Sequence, residues 1–489
     1  MARVVVIGAG MGGLAAAARL AAAGHRVTVA EAASTYGGKL GTTRLGPFTF
    51  DTGPSLLTLP QEYRDLFADT GAPLDELLEL VPAEPTCHYR FADGTTFDMP
   101  HAMAEVGPEM SRVFGPAAAR QWTNLMTDAA RTWALVEDPV LRRPLRLPEL
   151  LRHSAHPRHL HRIAPWRTLR GLGRKWLADP RLRMLLDRYA TYSGSDPRRL
   201  PAVMSVVPYI EQRFGGWYVR GGLRRLADAL HTRCTGLGVD FRFDTPVSAV
   251  RTTGGGVRGV AVSGGGLLDA DIVVSNADAT HLYEDLLLDR RARGPRRALA
   301  AATPSLSGFV LLLGLRGRTP EPRHHRVLFP ADYDAEFDDI FGDRPRPVAD
   351  PAVYVCSPAD PATAPDGHEA WFVLVNAPRQ GPVDWTRPGV ADDYADHVLA
   401  VLARRGLDVR DRIVHRAVRT PADWQHGTGA AGGALYGTSS NGTRAAFLRP
   451  ANRSPLPGLY LVGGSAHPGG GLPLVALSAK IVAGLVGHA

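Results

Sequence analysis

Near the N-terminus the apolar positions fall in short continuous runs rather than in alternation. Residues 3–7 (RVVVI) carry four consecutive aliphatic side chains, as expected of a short buried parallel strand, and the turn Gly8-Ala9-Gly10-Met11-Gly12-Gly13 follows. The pattern predicts an alanine-rich helix over 14–23 and a second strand over 25–30 that ends at Glu31. Farther along, 239–243, 245–247, 257–262 and 270–276 read as successive strands, and 309–315 as a buried one. The loop GGWYVRGG at 215–222 leads into a helix over 223–230. Segments 109–113 and 117–136 are helix-like, and no internal repeat is evident. Close to the C-terminus a strand at 460–462 runs into a glycine-rich loop. A helix is predicted from Pro473 or Leu474, where proline suits the first helical turn.

The N-terminal β-turn-α-β pattern carries a specific chemistry. Gly8 allows the tight turn, Gly10 lets backbone N–H groups approach a pyrophosphate, and Gly13 lets helix and strand pack closely. The phosphates then meet the positive end of the helix. Glu31 stands 21 residues beyond Gly10, where a ribose hydroxyl is expected, and an acid there disfavours a 2′-phosphate. The bland alternative is a glycine turn that only packs a helix on a sheet. In the C-terminal loop, glycine backbone can approach a planar ring, and the positive end of the following helix would stabilise negative charge gathering there. His467 is the imidazole inside that loop. It is either a proton-handling or substrate-positioning group, or a hydrogen-bond partner that fixes the loop. Ser465 beside it is no hydrolase nucleophile, because no G-x-S-x-G surrounds it.

With 489 residues, 45% hydrophobic and 21% charged, the chain has globular composition and enough length for two or three lobes. Its formal net charge of +8 favours an anionic surface, whether phospholipid, an acidic carrier protein or nucleic acid. No nucleic-acid module is present, so no nucleic-acid partner is expected. Cys87, Cys234 and Cys356 are far apart and form no C-x-x-C pair, which excludes a disulfide framework or a zinc motif and fits a reducing cytosol. The apolar run over 4–24 is broken by glycines and Arg19, and no stretch is long enough to span a membrane, so any membrane contact is expected to be peripheral. The tract 141–176 is rich in Arg and His. It reads either as an interfacial surface with access to a water-insoluble substrate or as a solvated basic face, and Pro144, Pro148, Pro157 and Pro165 prevent one long amphipathic helix. His153, His156, His159 and His161 lie in it without nearby cysteines or regular spacing, so no metal is expected.

Several motifs together resemble a known group. Gly37-Gly38-Lys39 follows Glu31, and the run FDTGP at 50–54 comes soon after; these resemble the flavin amine oxidase and phytoene desaturase superfamily. The element GGALYG at 432–437 and the motif LYLVGGSAHPGGGLP at 459–473 resemble carotenoid desaturases, most closely the hydroxyneurosporene or methoxyneurosporene desaturase branch. The segments 215–222, 271–278, 179–183 and 189–196 are similar to the same family, and the similarity is weakest over about 100–175.

That resemblance implies an α/β fold: a Rossmann-like FAD-binding domain (mixed sheet with helices) over 1–75, 215–290 and 420–489. It would be interleaved with a substrate domain of antiparallel sheet over 76–214 and 291–419, in which 102–199 forms a helical lid or membrane-facing part. It implies FAD held by Gly8, Gly10, Gly12, Gly13, Glu31, Gly37, Gly38, Lys39, Gly53, Pro54, Gly463, Gly464, Gly471, Leu472 and Pro473, with the backbone of Val247 at the adenosine end. Lys39 stands where arginine is commoner, which removes a bidentate contact. The implied reaction is hydride transfer to the flavin from a long apolar isoprenoid, such as a carotenoid, held in a dry tunnel, with oxygen or a quinone-like acceptor reoxidising the cofactor. No side chain is singled out as a general base. Two other readings share the fold: dehydrogenation or aromatisation of a carrier-bound polyene, and a non-catalytic lipid carrier similar to Rab GDP-dissociation inhibitors. The intact glycines and Glu31 argue against the last.

Overall fold

The computed structural model describes residues 1–144 and 157–489. Its first sheet has five strands, in the order Leu459–Leu461, Ile272–Ser275, Arg3–Ile7, Arg26–Ala30 and Asp240–Arg242. Every neighbouring pair in it runs parallel. Arg3–Ile7 is the central strand, and its unbroken apolar run follows from being covered on both faces. Val4 and Val6 join the core formed with the helix Met11–Ala22, whereas Val5 and Ile7 pack into a second core with Val250, Val260 and Leu282. The expected mixture of strand directions is thus divided between sheets, because a separate three-stranded sheet (Val247–Thr253, Gly256–Val262, Leu267–Asp269) is antiparallel.

The helix Met11–Ala22 begins inside the glycine motif, three residues before the predicted start, so the motif itself supplies the first helical turn. Its alanines at 15–18 are fully buried, and their small side chains let it pack against both Arg224–Gly236 and the C-terminal helix Leu472–Val486. The C-terminal helix likewise starts slightly early, with Pro473 in its first turn.

A seven-stranded sheet forms the other large layer, in the order Ile413–Arg419, Ser307–Arg316, His368–Ala377, Val353–Cys356, His325–Leu328, Cys87–Arg90 and Thr96–Met99. It is antiparallel as the resemblance implied, except that His325–Leu328 and Cys87–Arg90 run parallel. That pair joins segments distant in sequence, so no hairpin dictates its direction. Helices Met103–Phe114, Pro116–Val136, Leu169–Trp176 and Pro180–Arg188 cover one end of this sheet around Trp122, Leu125, Leu182 and Phe329. His153 and His156 lie outside the described residues. Among the described residues, no helix is long and apolar enough to cross a membrane.

Candidate cofactor site

The predicted cofactor segments converge backbone on backbone. Gly8 adopts φ +90°, and a Cβ on Gly13 would sit 2.0 Å from the Gly8 carbonyl oxygen, so helix and strand are closer than any side chain permits. The Gly37 N–H donates to the Ala9 carbonyl at 2.8 Å, which lays Gly37 and Gly38 over the Gly8–Gly10 turn. Gly53 in turn lies against the carbonyl of Lys39, where a Cβ would be 1.8 Å from the oxygen. From the C-terminal loop, the Cα of Gly463 comes within 2.9 Å of where a Gly12 Cβ would be.

Asn276 occupies the space that these glycines leave. Its Nδ2 lies 2.7 Å from a would-be Cβ on Gly10, and its Oδ1 lies 2.4 Å from those on Gly12 and Gly463. Sequence reading missed this residue. The available signal was its place at the end of the strand that closes the sheet beside Arg3–Ile7.

Two helices open onto this junction with no side-chain cap, Met11–Ala22 from Gly10 and Leu472–Val486 from Gly471. Their leading N–H groups and positive dipole ends suit anionic or electron-rich groups. In front of Gly471 there is open space, since a Cβ there would meet no atom within 4 Å. Glu31 braces the first turn: one carboxylate oxygen accepts from Ala9 N–H at 2.5 Å and the other from Ala33 N–H at 2.9 Å. Each oxygen keeps a further lone pair for a ribose hydroxyl. The Thr245 N–H donates to the Glu31 carbonyl at 2.8 Å, which draws Val247, at the start of its strand, to the same edge. The glycine cradle, the acid and the uncapped helices fit a dinucleotide.

The remaining predicted residues have protein partners. Lys39 is half-buried and donates through Nζ to the Leu435 carbonyl at 2.6 Å and, more distantly, to that of Ala434 at 3.4 Å. Burial lowers its pKa, against a smaller opposing pull from Asp278. Asp51, before Gly53 and Pro54, accepts from Leu223 N–H at 2.6 Å and Arg224 N–H at 3.2 Å at the start of the helix Arg224–Gly236; burial raises it to about 6. His467 is held by hydrogen bonds within the fold. Its Nε2–H donates to the Arg143 carbonyl at 3.0 Å, its own carbonyl accepts from Asn452 and Ser478, both at 2.8 Å, and burial holds the imidazole down at about 4. Ser465 Oγ accepts from Ala279 N–H at 2.9 Å. Arg449, also missed from sequence, is buried and donates to the carbonyls of Thr438, Tyr436 and Gly464, which ties the two C-terminal motifs together.

Beyond Pro54 the site continues into buried polar groups of the large sheet and the helices over it. Ser55 Oγ lies 2.6 Å from Tyr354 Oη, which lies 2.7 Å from His325 Nδ1. Burial lowers the pKa of His325, and takes His324 down to about 4, so both are neutral near pH 7. Their ring nitrogens and Cys356 Sγ lie within 4.8 Å of one another, a grouping that only the sheet creates. Alongside, Tyr189 and Tyr192 donate to the two oxygens of buried Glu211 at 2.7 and 3.3 Å, and burial raises the Glu211 pKa.

A model of the family "Flavin containing amine oxidoreductase" matches residues 11–487. The chain is 34% identical to the 1-hydroxycarotenoid 3,4-desaturase of Flavobacterium sp. (strain P99-3), covering 99% of each chain. It is also 34% identical to the hydroxyneurosporene desaturase of Rubrivivax gelatinosus, over 98% of this chain and 92% of that one. Among solved structures, wild-type putrescine oxidase bound to putrescine superposes with a TM-score of 0.66 at 16% identity, covering 99% of this chain and 98% of that one, a likeness of fold. With a family match across almost its whole length, the chain belongs to the flavin containing amine oxidoreductase family.

Proposed function

We propose that this chain is an FAD-dependent desaturase that introduces C=C bonds into a long, apolar carotenoid-type isoprenoid. The observation that carries the reading is the end-to-end similarity to carotenoid desaturases, at 34% identity over 98–99% of the chain. FAD, when bound, supplies the hydride-accepting chemistry. Gly8, Gly10, Gly12, Gly13, Gly37 and Gly38 would let backbone reach its phosphates, with Glu31 and Val247 at the ribose and adenosine end. Gly53, Pro54, Gly463, Gly464, Gly471, Leu472 and Pro473 would surround its ring end, and Lys39 would pin those two sets of loops together.

In this reading the protein holds a C–H bond against the ring in a dry, oriented site, which is where most of its catalytic contribution lies. Ser55, Tyr354 and His325 form a hydrogen-bonded chain that fixes the loop after Gly53 against the large sheet. The division into a cofactor domain (1–75, 215–290, 420–489) and a substrate domain (76–214, 291–419) is part of the same proposal. It is supported by the parallel sheet drawing all its strands from the first set and the seven-stranded sheet all its strands from the second. Reoxidation by oxygen or a quinone-like acceptor, and a peripheral membrane contact through the basic surface, complete it.

The test is an anaerobic titration of the purified flavoprotein with a detergent-dispersed acyclic carotenoid and, separately, with a carrier-bound polyene. Bleaching of the flavin by the carotenoid, with a product of longer conjugation, is the expected result. Bleaching by the carrier-bound polyene alone would move the protein to carrier-linked dehydrogenation. Chromatography of the heat-released cofactor identifies it as FAD or not.

A further inference from the structure

We propose that Arg188 and Tyr333 form a recognition site for a neutral oxygen substituent on the substrate, such as a hydroxyl, ether or keto group, carried a few carbons from the bond that is oxidised. The proposal rests on the desaturase reading for the identity of the chain that bears the oxygen.

Arg188 ends the helix Pro180–Arg188 and is only 8% exposed. One nitrogen donates to Thr191 Oγ1 at 2.8 Å, but its Nε–H is buried with no hydrogen-bond partner, and among the described residues no carboxylate oxygen lies within 4.0 Å of the guanidinium. A guanidinium cannot shed its proton to escape this situation. The Tyr333 hydroxyl, 4% exposed, lies beside the same guanidinium yet outside hydrogen-bond geometry, and it too has no partner. Buried polar groups are rarely left unmet, and two converging here mark a place where a ligand atom completes the network.

The ligand's charge follows from Glu211. This carboxylate feels the charge of Arg188, and both of its oxygens are acceptors, for Tyr189 and Tyr192. It therefore balances the guanidinium electrically without occupying its free donor, which leaves room for a neutral acceptor rather than a second anion. The phenol of Tyr333 can donate to the same oxygen or accept from a hydroxyl.

One aromatic contact sets the distance to the cofactor loops. The Tyr354 ring centre lies 6.0 Å from the Arg188 guanidinium carbon, and the Tyr354 hydroxyl bonds Ser55, directly after Gly53-Pro54. An oxygen held at Arg188 is thus one aromatic ring away from the loop that follows Gly53-Pro54 at the proposed ring end of the cofactor.

The experiment compares kcat/KM for an acyclic carotenoid bearing a terminal tertiary hydroxyl with that for the hydrocarbon of the same skeleton, using wild-type holoenzyme and the variants Arg188→Gln and Tyr333→Phe. The expected result is a fall of about tenfold or more in the ratio of hydroxylated to hydrocarbon substrate, seen mainly in KM. Equal losses on both substrates would assign a purely structural role and overturn the proposal, as would an unchanged ratio. Tyr333→Phe removes only an unpartnered hydroxyl, so it keeps the test open if Arg188→Gln does not fold. If neither compound bleaches the wild-type flavin, the desaturase reading has failed. Quenching of protein fluorescence by the same two compounds then decides separately whether these residues select the oxygenated chain.

Discussion

Lys39 donates a 2.6 Å hydrogen bond to the backbone carbonyl of Leu435, 396 residues farther along the chain. This contact joins the loop after Glu31 to the GGALYG element, two segments that have no local reason to meet. A half-buried ammonium bonded to carbonyls contributes about 1–3 kcal/mol, and its loss leaves those acceptors short of a donor. Lys39→Met is expected to lower the stability of the holoprotein by that amount and to reduce the flavin retained on purification. Chemical denaturation and the flavin-to-protein absorbance ratio check it; wild-type values for both would show the tether to be idle.

Two glycines separate crowding from backbone strain. A Cβ at Gly13 meets the Gly8 carbonyl oxygen at 2.0 Å, whereas one at Gly471 meets nothing within 4 Å but must be carried at φ +104°. Gly13→Ala forces the strand and helix apart and is expected to cost about 1–3 kcal/mol and most of the bound flavin. Gly471→Ala pays only the left-handed backbone penalty, about 1–2 kcal/mol. Thermal melts of the apoprotein and flavin content of both variants report the difference, and flavin binding that survives Gly13→Ala would contradict the close-packing argument.

Glu31 offers a graded test of the ribose contact. Glu31→Ala removes both acceptors of the Ala9 and Ala33 N–H groups, and Glu31→Gln keeps one. Bonds to a charged acceptor are worth about 1.5–3 kcal/mol, so FAD affinity is expected to weaken by roughly one to two orders of magnitude in Glu31→Ala and by less in Glu31→Gln. Equilibrium dialysis against FAD measures it, and equal affinity in all three proteins would remove Glu31 from the site.

His467 makes a prediction about acid stability. Burial, with a smaller push from the Arg449 cation, holds its folded-state value at about 4, against 6.5 for the free side chain. Between those values the unfolded chain binds a proton that the folded chain refuses. The contribution is therefore complete above 6.5 and is lost as pH falls towards 4, with on the order of 3 kcal/mol at stake. His467→Gln removes this titration while keeping a donor for the Arg143 carbonyl. Urea denaturation from pH 7 to pH 4 should show the difference between variant and wild type shrinking as the pH falls; a constant difference would count against the assignment.

The fold was legible where the periodicity of the chain coincides with its contacts. RVVVI followed by Gly8–Gly13 and Glu31 identifies a nucleotide unit because each glycine answers a local geometric need, and local geometry is encoded within a few residues. The strands Gly256–Val262 and Ile272–Ser275 and the C-terminal strand, loop and helix were readable for the same reason, whereas the strand expected at 245–247 runs over Val247–Thr253 and the short strand Leu267–Asp269 was not read. Helix starts were misjudged by a few residues at Met11 and Leu472, since the N-terminal turns there are built from glycine rather than from side-chain caps.

Sequence alone thus determined the class of the protein and the glycine segments that converge beside the first strand, because glycine spacing and apolar runs act over short distances. Tertiary structure alone decided the partners of the polar side chains: that Asn276 fills the space among three glycines, that Lys39 bonds the Leu435 carbonyl, that His467 bonds the Arg143 carbonyl, and that Arg188 Nε and the Tyr333 hydroxyl are buried without a partner. The cost of burying a polar group depends on what the rest of the fold places beside it, and those neighbours come from segments hundreds of residues apart.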